Sequence, residues 1–255
     1  MVNQEQELQI YDFSIFTEQN ARDAFGLKFH DRAEGYLSDW LERAKTEIVS
    51  DEERKRLEKL HRKLSYYIRS WNSRELREKF IAPIIEVVDF DIPELEISAF
   101  AKRELRIVYQ KSIIQGKVEW MVAKGPFEPS SPFFFIHVEP NKGEIPISFG
   151  KYKKEKDSSN DPVGQLLATL FTAQFLNQHT PKPTLFNPKP TSFGHIPLYG
   201  SYILGRFWFF VRLKDKQYYI SQAYNSAEME GLLEILKMLK AQKQMIIELV
   251  TKKLN

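Results

Sequence analysis

The sequence has no cysteine among its 255 residues, so disulfide bonds and metal sites built on thiolates are excluded. It also has no apolar run that approaches the roughly 20 residues a helix needs to span a bilayer. We expect no signal peptide, because the first residues (MVNQEQELQIYDF) have neither a basic start nor an apolar core. These absences predict a cytoplasmic protein with no membrane partner.

Several common catalytic motifs are also missing from the chain. No glycine-rich loop matches a nucleotide-binding fingerprint, and no Gly-x-Ser-x-Gly elbow is present. The five histidines show no zinc-ligand spacing. His137 lies in a predicted strand, where a lone histidine is more often a hydrogen-bonded structural residue than a ligand. We therefore expect neither an organic cofactor nor a zinc site.

The charges are distributed unevenly along the chain. Residues 1–75 hold 13 Lys and Arg against 15 Asp and Glu, whereas residues 76–255 hold 24 against 19. Ordinary scatter explains such an imbalance. So does a mildly basic domain that meets phosphates, beside an acidic helical unit that does not.

The first part of the chain carries the clearest helical patterns. In residues 27–45, apolar side chains recur at three- and four-residue steps. Ser50 and Glu53 then form a capping box, and a long apolar stripe follows. The patterns predict an antiparallel helical hairpin over residues 27–71. It is either a brace packed on the rest of the protein or a surface for a homodimer or another protein partner.

The chain after residue 72 alternates between helical and strand patterns. Asn72 and Glu75 indicate a helix start, and Pro83 should kink or end part of this helix. Asp161 and Pro162 indicate the start of a second helix, since they suit the cap and the first helical position. Alternation and β-favouring residues predict strands at 95–100, 105–109, 112–124, 132–139, 198–213 and 217–223.

This order of elements predicts an α/β (α+β) fold, with a mixed central sheet flanked by helices and an N-terminal helical hairpin. We expect two regions. Residues 1–72 would form the accessory hairpin region, and residues 73–255 would form the domain that contains the sheet.

Two acidic residues stand out on consecutive predicted strands. Glu119 interrupts the apolar run of one strand, and Glu139 ends the next. If these strands pair, the two carboxylates can meet at one edge of the sheet and hold Mg²⁺ or Mn²⁺. Lys142 could then stabilise transition-state charge. Glu78 could supply a further ligand or a base, and Gln165 could orient a water or contact the substrate.

A basic segment lies in the loop that follows. Its lysines are candidates for contacts with a phosphate backbone, and they are Lys151, Lys153, Lys154 and Lys156. A solvated loop is the plainer interpretation. Glu119 likewise has a structural interpretation, since it can simply point to solvent, and charged residues such as Glu139 are common at strand ends.

These segments resemble the PD-(D/E)XK nuclease superfamily, which has the restriction-endonuclease-like fold. The resemblance covers roughly residues 75–245. It is carried by GKVEWMVAKG (116–125), FFFIHVEPNK (133–142), DPVGQLLATLFTAQFLNQ (161–178), PLYGSYILGRFWFFVRL (197–213) and QYYISQAY (217–224). In that superfamily an acid ends the second core strand, an acid-x-lysine triplet lies on the third, and a helix follows.

The resemblance implies a Mg²⁺-dependent endonuclease or exonuclease that cleaves DNA phosphodiesters, with genome defence or mobile-element biology as its setting. Glu119 takes the place of the strand-two aspartate, and Glu78 that of the helix-one glutamate. The triplet departs from the pattern. With Glu139 as its acid, Asn141 stands where lysine belongs, and Lys142 comes one residue late.

The shift by one residue matters because strand side chains alternate between faces, unless a bulge re-aims the lysine. Two alternatives therefore stay open. One is a catalytically inactive nuclease-fold protein that binds nucleic acid or protein. The other is a purely structural partner protein that works through the 27–71 hairpin.

Overall fold

The computed structural model describes residues 8–30, 37–134, 140–141, 161–179 and 195–254. Its α-helices in these ranges are α1 (Glu18–Phe25), α2 (Ser38–Thr46), α3 (Asp51–Tyr67), α4 (Ser73–Leu76), α5 (Ala82–Val88), α6 (Pro162–Gln178) and α7 (Met229–Leu254). Its strands are β1 (Gln9–Asp12), β2 (Lys28–Phe29), β3 (Ile97–Tyr109), β4 (Ser112–Lys124), β5 (Ser130–Phe134), β6 (Pro140–Asn141), β7 (Leu198–Leu204), β8 (Phe207–Lys214), β9 (Gln217–Ile220) and β10 (Tyr224–Asn225).

Strand β4 is the centre of the first sheet. β3 pairs with it antiparallel along its whole length, through a turn at Gln110-Lys111. Strands were expected separately at 95–100 and 105–109, but one continuous strand is found because every residue from Ile97 onward except Lys102 has a partner on β4. The other edge of β4 is shared by β1, which pairs parallel with its start, and β5, which pairs antiparallel with its end.

The second sheet has the strand order β2-β9-β8-β7-β6. Strands β7, β8 and β9 form an antiparallel meander, while β6 pairs parallel with β7 and β2 pairs parallel with β9. The single strand predicted over residues 198–213 is wrong, because the chain turns at Gly205, where φ is +60°. Glycine adopts this left-handed conformation without a steric penalty.

The predicted hairpin does not begin at residue 27. Helix α1 ends at Gly26, which has the left-handed φ of +66°, and Lys28–Phe29 then pair with Gln217 and Tyr218 of β9. In the described ranges that follow, α2 begins at Ser38, and both α2 and α3 pack against α7. The capping box predicted at the start of α3 is confirmed, and so is the helix start predicted at Asn72, where Asn72 and Glu75 form a second capping box.

Two apolar cores lie on opposite sides of the strands. The first core lies among α2, α3, α5, α7 and one face of the second sheet, and it includes Trp40, Leu57, Phe80, Phe210 and Leu236. The second core gathers α1, α6 and side chains from both sheets, and it includes Phe25, Met121, Phe171, Val211 and Tyr218. The fold is therefore mixed α and β, with two mixed sheets flanked by helices. The division at residue 72 stays a prediction, since residues on both sides of it contribute to both cores.

Helix α6 is buried over most of its surface. Asp161 caps it as predicted, because one carboxylate oxygen accepts the N–H groups of Val163 and Gly164. Gly164 is required by close approach, since a Cβ there would lie 2.2 Å from the Phe16 carbonyl oxygen. At the other end, the Asn177 amide pairs with the backbone of Phe133 and so fixes β5 on the helix. In the described part of the chain, no helix is long and apolar enough to cross a membrane.

Candidate functional site

The helical segment that carries Glu78 is not a regular α-helix. Residues Arg77–Ile81 adopt the wider π register, in which the Ala82 N–H donates to the Arg77 carbonyl. Pro83 explains the change, because it has no N–H and its ring clashes with the carbonyl four residues earlier. Such π turns within α-helices are frequent at functional sites. The kink expected at Pro83 is thus a change of helical register at the candidate site.

Glu119 lies near the middle of β4 and forms an ion pair with Arg77 of the π segment. The Arg77 Nη1 donates to the Glu119 Oε2, and only 17% and 27% of the two side chains are exposed. Opposite Glu119 on β3 is Lys102, whose φ of +54° interrupts the ladder at that pair. The guanidinium therefore satisfies a carboxylate that would otherwise be isolated in an apolar strand, and it ties the helix to the sheet.

Glu78 follows Arg77 in the sequence but has a different partner, Arg74. Its Oε1 accepts a 2.8 Å hydrogen bond from the Arg74 Nε, and its side chain is 53% exposed. This hydrogen bond, together with the positive charges of Arg77 and Lys102, holds the pKa of Glu78 below its ordinary value. Glu78 and Glu119 therefore lie in one cationic neighbourhood, each with its own arginine.

Gln165 lies in the first turn of α6, and only 4% of it is exposed. Its backbone carbonyl accepts a 2.9 Å hydrogen bond from the Thr169 hydroxyl. Because the residue is buried within the second core, its predicted contact with water or substrate stays a prediction.

The remaining predicted site residues lie outside the described residues. They are Glu139, Lys142, Lys151, Lys153, Lys154 and Lys156, and His137 lies outside these ranges as well. Glu139 and Lys142 immediately precede and follow β6 in the chain. Strand β6 pairs with β7 at Ile203 and Leu204 and also contacts α4, the helix that leads into Arg77 and Glu78. At β6 the chain thus returns to the neighbourhood of α4.

Within the described ranges, no three His, Asp or Glu side chains form a group that could hold a metal ion. Of the two predicted metal ligands, Glu119 and Glu139, only Glu119 lies within these ranges, and an arginine occupies one of its oxygens. The described residues alone therefore supply only part of a ligand set for Mg²⁺, which in proteins is bound through one or two carboxylates, waters and substrate oxygens.

Arg77 and Arg74, the partners of the two acids, were not among the predicted site residues. A signal for Arg77 was present. Apolar Ile81 and Ile85 follow it at four-residue steps, which places Arg77 at the inward edge of its helix. An inward cation and an isolated acid in a strand both need a partner, and each can serve the other.

Among the described residues, surface cavities also lie away from Glu119. One, of about 340 Å³, lies between β1, α1 and the turn from β3 to β4, and Phe16, Tyr109 and Asn20 are among its lining residues. Another, of about 440 Å³, contains Arg43 and Tyr199. Burial raises the pKa of Tyr199 to about 12. Neither cavity is lined by Glu78, Glu119 or Gln165.

Comparison of the chain with protein-family models found no match. Comparison with curated proteins found no significant similarity.

Proposed function

We propose that the protein is a Mg²⁺-dependent nuclease that cleaves DNA phosphodiesters and is built on a restriction-endonuclease-like fold. The observation that supports this proposal most is the connectivity around Glu119. A helix is followed by three strands, and the second of these carries Glu119. A buried helix and a further strand complete the order that the resemblance to the PD-(D/E)XK superfamily implies.

The segment over residues 130–141 supports the same topology. Its first described part, β5, pairs antiparallel with β4, and its last part, β6, pairs parallel with β7. One stretch of chain therefore joins the strand that bears Glu119 to the strand after α6. In the proposed fold this stretch is the third core strand, and Glu139 belongs to it.

In this proposal Glu119 and Glu139 hold the metal ion, which when bound neutralises the phosphate and activates a water. Arg77 orients the Glu119 carboxylate, and its remaining N–H groups are suited to bind a phosphate oxygen. Lys142 stabilises the charge that develops on the phosphate, and Glu78 and Gln165 support the site. The four lysines between residues 151 and 156 contact the DNA backbone.

Cleavage of plasmid and single-stranded DNA, with Mg²⁺ and with Mn²⁺, tests this function. Glu119→Gln keeps an oxygen that accepts from Arg77 but removes the negative charge. We expect it to lower the cleavage rate about 100-fold or more, because it removes several kcal/mol of transition-state stabilisation. Glu104→Gln is the matched control, since Glu104 is exposed on the neighbouring strand β3, opposite Lys117. Its rate should stay within about twofold of wild type, as expected for a surface change.

The proposal fails if folded wild-type protein cleaves neither substrate with either metal. It also fails if Glu119→Gln cleaves as fast as the wild type. Circular dichroism of each variant establishes that the protein is folded. Calorimetric titration with Mn²⁺ gives an independent measure, because metal binding should weaken in Glu119→Gln and stay unchanged in Glu104→Gln.

The ion pair between Arg77 and Glu119 favours a second candidate, a catalytically inactive nuclease-fold protein that binds nucleic acid or protein. In such a protein the guanidinium permanently replaces the metal charge beside the carboxylate. It would retain DNA in EDTA, with an affinity that falls steeply as salt rises, and would show no cleavage. A folded protein that neither cleaves nor retains DNA would instead support a structural partner protein.

A further inference from the structure

Three aromatic side chains lie together at the C-terminal end of α3. They are Tyr66, Tyr67 and Trp71, and we call them the aromatic platform. Tyr66 is 80% exposed and Tyr67 is 45% exposed. The Tyr67 and Trp71 rings are nearly parallel, with centroids 5.8 Å apart, and the Tyr66 ring meets Tyr67 edge to face at 4.7 Å. The platform thus presents ring surface to solvent, held by contacts within the cluster.

The platform is surrounded by positive charge. Residues 62–79 contain six Arg and Lys and two Glu, a net charge of +4. Arg62 and Lys63 precede Tyr66 and Tyr67 by four residues, so each cation is next to a tyrosine on the helix surface. Arg69 follows in the turn after the helix. All three cations are exposed, and none forms an ion pair with another described residue.

The two acids of this segment are already neutralised. Glu75 accepts a 2.7 Å hydrogen bond from Lys79, and Glu78 accepts one from Arg74. The Lys79 Nζ also lies 6.0 Å from the centroid of the Trp71 ring. An anionic ligand over the platform would therefore meet cations and no unpaired carboxylate of this segment.

The platform is also close to the candidate site. Lys79, which contacts the Trp71 ring, belongs to the same π segment as Arg77. Arg77 forms the ion pair with Glu119. The platform and the ion pair of Glu119 are therefore linked through one short helical segment, in which Lys79 and Arg77 are two residues apart.

We infer that the aromatic platform binds an unpaired DNA strand. Bases stack on Tyr66 and Tyr67, while Arg62, Lys63 and Arg69 contact the phosphates. Exposed rings beside cations are the arrangement by which proteins bind single strands, because an unpaired base offers its face, whereas a base in a duplex is already stacked. The identity of the strand as a DNA substrate rests on the proposed nuclease function. The binding itself does not require cleavage.

Fluorescence anisotropy with a labelled oligothymidine, measured in EDTA so that no cleavage occurs, tests this inference. Tyr66→Ala should raise Kd about fivefold to tenfold, the lower part of the range for loss of a stacked aromatic. Tyr66→Phe should bind like the wild type, because stacking needs the ring and not the hydroxyl. The control is Phe127→Ala, since Phe127 is an aromatic residue 85% exposed on the loop between β4 and β5. Its Kd should stay within about twofold of wild type.

The phosphate contacts give a second readout. The logarithm of the binding constant should fall linearly with the logarithm of salt concentration, and Arg69→Gln should make this slope shallower by about 0.7, the value for one phosphate contact on a single strand. Affinity for a duplex of the same length should be the same in wild type and Tyr66→Ala.

Four results would overturn the inference. The first is equal oligothymidine affinity in wild type and Tyr66→Ala, and the second is a loss of affinity in Phe127→Ala as large as that in Tyr66→Ala. The third is no strand binding by folded wild-type protein, and the fourth is clear preference for oligouridine over oligothymidine. The third would leave a protein partner as the occupant, since Tyr, Trp and Arg are also enriched at protein interfaces. The two proposals fail separately. Strand binding without cleavage refutes only the nuclease, and cleavage with oligothymidine affinity unaffected by Tyr66→Ala refutes only the platform.

Discussion

Replacing Asp161 by alanine should destabilise two helices at once. One carboxylate oxygen accepts the N–H groups of Val163 and Gly164 at the start of α6, at 3.0 and 3.3 Å. The other accepts the N–H of Glu18 at the start of α1, at 2.8 Å. A single side chain thus caps two helices whose positions in the sequence differ by more than a hundred residues.

The expected loss follows from these contacts. Replacing an N-cap by alanine costs about 0.5–2 kcal/mol for one helix. The negative charge adds about 0.3–1 kcal/mol near each helix N-terminus. Two caps and one shared charge give a loss of about 3 kcal/mol in the free energy of unfolding for Asp161→Ala. For a chain of this size, that lowers Tm by about 6–12 °C. Asp161→Asn keeps one acceptor oxygen and should lose about half as much.

Urea unfolding, followed by both circular dichroism and tryptophan fluorescence, measures this loss. Thr17→Ala is the matched control, because Thr17 caps α1 alone through a 3.1 Å bond from the Asn20 N–H. It should cost about 1 kcal/mol. All variants should unfold in one transition with both probes. The reasoning is refuted if Asp161→Ala costs no more than Thr17→Ala, or if α1 and α6 unfold in separate transitions. Separate transitions would support an independent unit over residues 1–72.

Two further changes test other contacts. Asn177→Ala removes the amide that accepts from the Phe133 N–H at 2.9 Å and donates to the Phe133 carbonyl at 3.2 Å. Because these buried hydrogen bonds are lost, urea unfolding should show a loss of about 3–4 kcal/mol. Lys240→Met removes the 2.9 Å hydrogen bond to Glu53 and should cost about 1–2 kcal/mol at pH 7. Burial opposes the charged form of Glu53, but hydrogen bonds from Lys240 and the Ser50 N–H outweigh burial and hold its pKa below the ordinary 4.5. This contribution to stability is present above pH 4.5 and is lost as pH falls through the lower pKa of the folded state. The difference in free energy of unfolding between wild type and Lys240→Met should therefore shrink in that pH range. A difference that stays constant with pH would contradict this prediction.

Local chemistry explains which parts of the fold were predictable. The capping boxes at Ser50 and Asn72 involve residues three positions apart, so the sequence contains the whole interaction. The bounds of β4, Ser112–Lys124, were also predicted, because an apolar run ends on both sides in turn residues. In each case the residues that determine where the element begins or ends lie within a few positions of that boundary.

Long-range pairing explains what was not predictable. Strand β1 pairs with β4 from Gln9 opposite Ser112, and β2 pairs with β9 from Lys28 opposite Gln217. Short parallel pairs of this kind have no turn or spacing signature, since their partners lie more than a hundred residues away. The same limit produced the error at the start of the helix predicted over residues 27–45, where Lys28 and Phe29 form a strand. Their apolar periodicity favours a helix, yet the free edge of β9 binds the first of these residues in extended form.

In the candidate site, too, the local feature was predictable, but here the sequence also contains a signal for the long-range contact. Glu119 was predictable as chemically unusual, because a charged residue in an apolar strand requires a partner. Which partner it has depends on Arg77, 42 positions earlier, and on the helical face that carries it. Helical periodicity alone assigns that face, since Ile81 and Ile85 follow Arg77 at four-residue steps and are both buried. An unmatched cation on an inward helix face and an unmatched acid on a strand should therefore be paired first, before either is assigned to a ligand. For Glu119 this order has a chemical consequence. A metal ion bound there would act beside the charge of Arg77. Every test of the site should therefore treat Arg77 and Glu119 as one unit.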